Sequence, residues 1–352
     1  MSSAKIAKID PLHPKEEYLR QAADVIKRGG LVILPTETVY GIGANMLDKR
    51  TIARLCEIKQ RPPDKPFSLH IDNKESIEDF AIDIPVSAYK LIEEFWPGPL
   101  TVILKSKDGK TIGIRMPDNA IASRLIHLSA VPVVCPSANI SATPPPITFE
   151  QAIRDLKELV DFAIDAGDTR LGVESTVVDL TAEPIAVLRE AAIKTQDIET
   201  IAKTKIVLFV CTGNSCRSVM AEALLEKKLR EKNRNDVLVL SAGIILSGLG
   251  PTGPTREILR REGIDVSGHR SRRISPDLIK KSDIILVMEK IHEEKILGMV
   301  PSAKNRVFLL KEFAKIGENN VNIDDPIARS KDFYEYTFGV IKEAVERVVR
   351  LL

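Results

Sequence analysis

Apolar runs bounded by turn residues alternate along this chain with longer stretches whose apolar positions recur every three to four residues. The runs GLVILPTE, PFSLHI, LTVILK, TIGIRMP, VPVVCPSA, STVVDL and IAVLRE predict strands, and helical spacing predicts helices over 15–28, 51–59, 85–94 and 148–158. Strand and helix signals interleave from end to end, the pattern of α/β domains. Around AAIKTQDIETIAKTK (191–205) the chain turns polar and loses strand character, and KIVLFV then opens a new unit. The expected organisation is a domain over 1–195, a linker over 196–204 and a second domain over 205–352. The TPPP segment at 143–146 reads as a stiff turn.

Length agrees with this division, because 352 residues exceed what one ordinary hydrophobic core organises. Hydrophobic content of 44% beside 28% charged residues is that of a soluble globular protein. No apolar run approaches the length that crosses a bilayer, and the N-terminal stretch lacks the sections of a signal peptide. Four scattered cysteines make no disulfide framework, so a cytoplasmic location without membrane association is expected. Residues 205–352 carry a net charge of about +6 and residues 1–204 about −4. That split suits an anionic ligand in the second half and equally describes two differently charged solvated surfaces.

The strongest chemical signal is CTGNSCRS, set between the strand run KIVLFV and the helical stretch SVMAEALLEKKLREK. A strand, a tight loop and a helix N-terminus gather unpaired backbone N–H groups that favour an anion. Cys211 at the loop's start is therefore expected to ionise and act as a nucleophile. Arg217 offers a planar fork for two oxygens of a phosphoryl group. Asn214 can pin the loop and Ser218 can donate to the sulfur, with Thr212, Gly213, Ser215 and Cys216 completing the cradle. Cys216 reads equally as a partner for oxidised Cys211 and as a small packed residue.

FVCTGNSCRSVMAE resembles the signature of the low-molecular-weight protein phosphatases, with Val219 where the family carries proline. SAGI (241–244), GIDVSGHRSRRIS (263–275) and NIDDPIARSKDFYEY extend the resemblance through 205–352. It implies a small doubly wound parallel-sheet domain that needs no cofactor and acts on a phosphoprotein through a cysteinyl-phosphate. Asp325, in Asp-Pro, falls where the family keeps its general acid, and Asp324 has a supporting or incidental role. Ser215 replaces a branched aliphatic, and Ile327-Ala328 replace the aromatic pair of phosphotyrosine enzymes. The hydroxyl residue at Ser215 resembles the bacterial protein-arginine phosphatases, and the loss of aliphatic bulk removes ring packing, which together put phosphoarginine ahead of phosphotyrosine.

In the first half, PTETVYG ends a strand on a polar turn, and EIKQRPPDKPFSLHI packs Lys59, Arg61, Lys65 and His70 into 12 positions. Clustered cations suit polyphosphate but are more often a solvated face, and a lone histidine beside a strand is more often structural. Taken in order with FWPGPLTVIL, TIGIRMPD, VPVVCPSANISATPP, GVESTVVDL and VLREAAI, these strings resemble the YrdC-like threonylcarbamoyl-adenylate synthases. The resemblance implies a twisted mixed sheet with flanking helices. It implies a reaction of L-threonine, bicarbonate and ATP with accompanying Mg²⁺, and no dedicated metal site. The tRNA and tRNA-modification proteins are the implied partners. Thr38, His70, Arg115, Ser175 and the backbone near Cys135 fall on the threonine side. Arg61, Lys65, Thr111, Ser137 and Arg189 fall on the ATP side, lined by Asn139 and Pro145 and completed by Lys59. Arg189-Glu190-Ala191 departs from the family's Arg-Pro-Gly. A competing reading makes the first half an RNA-binding or regulatory module attached to the phosphatase. Its mildly acidic balance argues against that.

Overall fold

The structure, a computed structural model, describes residues 3–62, 65–141, 143–245, 247–317 and 320–352. Two units separate, Met1–Ala202 and Lys203–Leu352. Residues 196–204, expected as a linker, are almost wholly helical. The helix Thr195–Lys203 buries Ile198, with Ile201 and Ala202 packed against the same cluster of the first unit. Apolar residues three and four apart gave this polar stretch a face to bury.

The first unit's strands, in chain order, are β1 (Lys5–Lys8), β2 (Val32–Leu34), β3 (Gly41–Asn45), β4 (Leu69–His70), β5 (Ala81–Ile82), β6 (Leu100–Ser106), β7 (Thr111–Arg115), β8 (Val133–Val134), β9 (Phe162–Asp165), β10 (Thr176–Asp179) and β11 (Ala186–Arg189). Among the described residues they join in the order β1-β9-β2-β3-β8-β4-β7-β6-β10-β11, with β5 on the side of β6. Parallel pairs (β1·β9, β4·β7, β6·β10) and antiparallel pairs (β2·β3, β6·β7, β10·β11) mix in one sheet. Helices Glu16–Lys27 and Ala120–Ser129 cover one cluster with Val32, Leu34 and Ile164. Helix Val86–Phe95 covers another with Val102, Leu104 and Trp96.

The expected helices appear as Glu16–Lys27, Lys49–Lys59, Val86–Phe95 and Phe149–Arg154. Several predicted strands shrink to two residues, as in PFSLHI and VPVVCPSA, because prolines and loop polar groups interrupt their ladders.

The second unit is a four-stranded parallel sheet, β12 (Lys205–Cys211), β13 (Val237–Gly243), β14 (Ile284–Val287) and β15 (Val307–Leu309), in the order β13-β12-β14-β15. Alternation along β12 sends Val207, Phe209 and Cys211 into one core cluster and Leu208 and Val210 into the other. Both faces are covered, which is why KIVLFV reads as an unbroken apolar run. The chain leaves the central strand β12 between neighbours built in opposite directions. Its carboxyl end is therefore the crevice where open α/β sheets bind ligands.

Candidate active sites

In the first unit, a cavity of about 860 Å³ is walled by the ends of β4, β6, β7, β10 and β11, the end of helix Lys49–Lys59 and the loop after β8. It brings together Lys59, Arg61, His70, Thr111, Arg115, Cys135, Ser137, Asn139, Pro145, Ser175 and Arg189 from the sequence expectations. Thr38 stands behind the wall and reaches it through Arg115, whose Nη2 donates to Thr38 Oγ1 at 2.8 Å. Lys65 is exposed and does not line the cavity; its carbonyl accepts from Arg61 Nε at 3.1 Å.

Local backbone chemistry sets these positions. Helix Lys49–Lys59 ends on Gln60 in the left-handed region (φ 48°), which turns Lys59 and Arg61 in different directions. Lys59 Nζ donates to the carbonyls of Ser137 (2.7 Å) and Asn139 (2.6 Å) and to Asn139 Oδ1 (2.9 Å), so it clamps the loop after β8. Burial, reinforced by Arg61, draws its ammonium down to about 8. Arg61 stacks over Phe67 at 5.1 Å and donates from Nη2 to the Pro66 carbonyl at 2.9 Å. Gly41 lets that same loop approach, since a Cβ there would meet Cys135 Sγ at 2.3 Å.

Arg115 is buried, and its Nη2 also donates to Glu37 Oε1 at 2.7 Å. Glu37 Oε2 is buried without a hydrogen-bond partner. Burial, aided by Arg115, holds the His70 imidazole down at about 3, so it is neutral. The Ser68 carbonyl 3.4 Å from Nδ1 can only accept, which assigns the proton to Nδ1 and leaves Nε2 as an acceptor. Burial raises the Cys135 thiol to about 12, so it packs as an uncharged wall residue. Arg189 donates from Nε to the Ser175 carbonyl (3.0 Å), from Nη2 to Ser175 Oγ (3.2 Å) and from Nη1 to Glu174.

Sequence reasoning missed Thr101, whose Oγ1 lies 2.9 Å from Ser175 Oγ, together with Glu174 and Ser68. Period-two alternation in LTVILK places Thr101 on the same face as Ile103, a signal that points it to the cavity.

In the second unit, β12 delivers Cys211 to a loop that closes onto helix Arg217–Glu231. Asn214 takes the left-handed conformation (φ 51°), which short polar side chains tolerate. Its backbone N–H points to Cys211 Sγ at 3.3 Å, and its Nδ2 donates to Ser241 Oγ (2.7 Å) and Ser218 Oγ (3.0 Å). Ser241 Oγ in turn donates to Glu222 Oε2 at 2.6 Å. Ser218 Oγ, accepting from Asn214, turns its hydrogen to Cys211 Sγ at 3.0 Å. Gly243 packs under the loop, because a Cβ there would meet three loop backbone atoms at 2.9 Å.

Arg217 is 1% exposed. Its Nη1 donates to Glu289 Oε2 (2.5 Å) and the Ile323 carbonyl (2.7 Å). Its Nη2 donates to Thr212 Oγ1 (3.1 Å) and to Asp325. Ser215 is buried in the loop, Gly213 spans it without a side chain, and Cys216 Sγ lies 3.2 Å from Thr252 Oγ1 and 3.6 Å from Tyr334 Oη. Ile327 is exposed beside Asp325, whose Oδ1 accepts from the Ile327 N–H at 3.1 Å. Glu289 and His292 were not anticipated, since no motif in the sequence marks them, and Glu222 closes the signature FVCTGNSCRSVMAE without having been given a role.

Among the described residues no helix is long and apolar enough to cross a membrane, and no cluster of three metal-binding side chains occurs.

Comparison with known proteins follows the same division. Residues 24–191 match the Sua5/YciO/YrdC family, described as telomere recombination, and residues 206–352 match the family described as low molecular weight phosphotyrosine protein phosphatase. Threonylcarbamoyl-AMP synthase of Pyrococcus abyssi is 42% identical over 196 residues, covering 53% of this chain and 58% of that protein. A putative threonylcarbamoyl-AMP synthase of Methanocaldococcus jannaschii is 36% identical over 206 residues, covering 55% of this chain and 96% of that protein. The solved structure of P. abyssi Sua5 complexed with L-threonine matches with a TM-score of 0.54 at 27% identity, covering 86% of this chain and 99% of that one. The chain thus spans 58% of the length of the curated P. abyssi protein while spanning nearly all of the M. jannaschii one. The chain belongs to the Sua5/YciO/YrdC family, and its second unit is a low-molecular-weight phosphotyrosine protein phosphatase domain.

Proposed function

We propose that the first unit joins L-threonine, bicarbonate and ATP into threonylcarbamoyl-AMP and pyrophosphate, a product consumed in tRNA modification. The observation that carries this reading is a cationic cavity holding a neutral, acceptor-only histidine nitrogen. Arg115 receives the threonine carboxylate, His70 Nε2 accepts from the threonine hydroxyl, and Thr38, Ser175 and the Cys135 backbone complete that side. Arg61 and Arg189 face the phosphates, with Thr111, Ser137, Asn139 and Pro145 around the nucleotide. Lys59 acts by clamping the 137–139 loop. Lys65 reaches the ATP only if its exposed side chain folds inward. Among the described residues the cavity wall offers one carboxylate, Glu174, already engaged by Arg189. These residues fit Mg²⁺ carried on the triphosphate, where it would neutralise phosphate charge, rather than in a protein cage. The test is pyrophosphate release by the full chain, expected to require both threonine and bicarbonate. No release alongside tight tRNA binding would instead favour an RNA-binding module.

The second unit, in the same reading, is a cysteine-dependent protein phosphatase. Cys211 sulfur attacks phosphorus, the bond to the leaving nitrogen or oxygen breaks, and Asp325 supplies that atom's proton. Water then attacks the thiophosphate, giving its proton to Asp325 and returning the thiolate. The four protein acceptors on the Arg217 Nη atoms imply that an incoming phosphoryl group takes the place of the Asp325 carboxylate, which, freed from the cation, takes up a solvent proton and carries it to the leaving group. Ser215 in the loop and the absence of an aromatic pair at Ile327-Ala328 favour phosphoarginine over phosphotyrosine. Side-by-side hydrolysis of the two phosphopeptides tests the order. Cys211→Ser is expected to abolish both activities while pyrophosphate release persists, and faster phosphotyrosine turnover would reverse the preference.

A further inference from the structure

The phosphatase cradle contains one hydroxyl whose direction the surrounding hydrogen bonds determine. Glu289 donates its backbone N–H to His292 Nδ1 at 3.0 Å. A backbone N–H can only donate, so Nδ1 is bare and the neutral ring carries its proton on Nε2. His292 is fully buried, and burial together with Arg217 holds the imidazole down at about 4. The charged groups around it are Arg217, Asp325 and Glu289, whose Oε2 lies 3.8 Å from Nε2.

Nε2 lies 3.0 Å from Thr212 Oγ1 and therefore donates to it. Arg217 Nη2 donates to the same oxygen at 3.1 Å. Both lone pairs of the Thr212 hydroxyl are thus filled by donors, one of them cationic. Its own hydrogen has no acceptor among the described residues. Thr212 is half-buried and follows Cys211 directly in the loop.

We infer that Thr212 is a substrate-facing hydrogen-bond donor of the cradle and that His292 is the positioning residue that keeps its hydroxyl turned outward. Two donors on Oγ1 polarise the O–H bond and forbid it from turning back into the protein. A phosphoryl oxygen held by Arg217 is an acceptor of matching charge, since the same guanidinium nitrogen touches both the threonine and the anion position now taken by Asp325. The sequence around His292 (MEKIHEEK) marks no such role, because the histidine acts through Thr212, 80 residues earlier in the chain.

This rests on the phosphatase reading, and the test separates the two. On the full chain, Thr212→Val removes the hydroxyl at constant shape, Thr212→Ser keeps it, and His292→Phe removes the donor behind it. Each is compared with wild type for phosphopeptide kcat/KM and, by calorimetry, for binding of inorganic phosphate. Losing one hydrogen bond to a charged oxygen is expected to lower both by about 10- to 100-fold in Thr212→Val. Thr212→Ser should recover most of the loss, and Thr212→Val with His292→Phe should be no worse than the weaker single variant. Thr212→Val binding phosphate within about twofold of wild type would overturn the inference, as would equal losses from His292→Phe in both threonine and valine backgrounds. If His292→Phe does not fold, the Val/Ser comparison decides alone. Wild-type protein that binds phosphate but does not hydrolyse phosphopeptides, with the Val/Ser difference intact, would sink the phosphatase reading and leave this one standing.

Discussion

Replacing Arg115 by methionine removes one member of a buried ion pair whose other member, Glu37, is 1% exposed and already has one oxygen unpartnered. Truncating one side of such a pair typically costs about 3–5 kcal/mol, because a charge is left in low dielectric without compensation. Here the cost has a ceiling set by pH, since the stranded carboxylate can take up a proton. Drawing a proton onto an ordinary carboxylate costs about 3.7 kcal/mol at pH 7 and about 1 kcal/mol at pH 5. The lost hydrogen bond to Thr38 adds roughly 1 kcal/mol. Arg115→Met should therefore destabilise the first unit by about 4–5 kcal/mol at pH 7 and by about 2 kcal/mol at pH 5. Adding Glu37→Gln should recover most of the pH 7 loss. The chain's one tryptophan, Trp96, is buried in the first unit, so urea unfolding followed by its fluorescence reports that unit selectively. A loss at pH 7 under about 1 kcal/mol, or one that does not shrink on acidification, would refute the reasoning.

Arg61→Ala should raise the KM for ATP in pyrophosphate release by about 10- to 100-fold, with threonine KM and phosphopeptide hydrolysis little changed; steady-state kinetics on the full chain checks this. His70 predicts acid sensitivity of the first unit. The unfolded chain binds its proton near 6.5, whereas the folded imidazole stays neutral down to about 3. The unfolded state binds more protons across that window, so this stabilisation is complete above pH 6.5 and declines as pH falls toward 3, by roughly 4–5 kcal/mol in all. His70→Gln should flatten the Trp96-reported midpoint between pH 6.5 and 4 relative to wild type, and parallel curves would contradict the assignment.

The chain's physics explains which features could be read from sequence. KIVLFV was legible as a buried strand because both faces of β12 are covered and every position after Lys205 is apolar. The strand Gly41–Asn45 was not, since GIGAN has little β-propensity and persists only through its pairing with β2 and β8. Lys5–Lys8 (KIAK) likewise has no alternating pattern, two lysines flanking Ile6 and Ala7, and exists because Phe162–Asp165, far away in sequence, offers it a parallel edge. In the sites, motifs marked Arg115 and Ser175, which the structure brings to the first cavity, and Cys211 and Arg217, which it sets at the two ends of one loop. The pairings that hold those side chains were not legible: Glu37 and Glu174 lie inside quoted motifs and Glu289 and His292 outside any, and all four satisfy cations or hydroxyls from distant parts of the chain that no local pattern encodes.

Those hidden partners separate the electrostatics of the two sites. Among the described residues around the first cavity, four cations, Lys59, Arg61, Arg115 and Arg189, meet two carboxylates, Glu37 and Glu174. Lys59 and Arg61 are held instead by carbonyl and amide oxygens, which fix geometry without cancelling charge. The cavity therefore keeps an excess of positive charge, and a neutral His70 adds none. Such a field suits a triphosphate together with a carboxylate. In the second unit Arg217 meets two carboxylates, Glu289 and Asp325, and its charge is more than offset. Attraction for phosphate there must come from the loop's N–H groups, Thr212 and the displacement of Asp325. In the proposed phosphatase reading, binding the anion and freeing Asp325 are thereby one exchange at a single guanidinium.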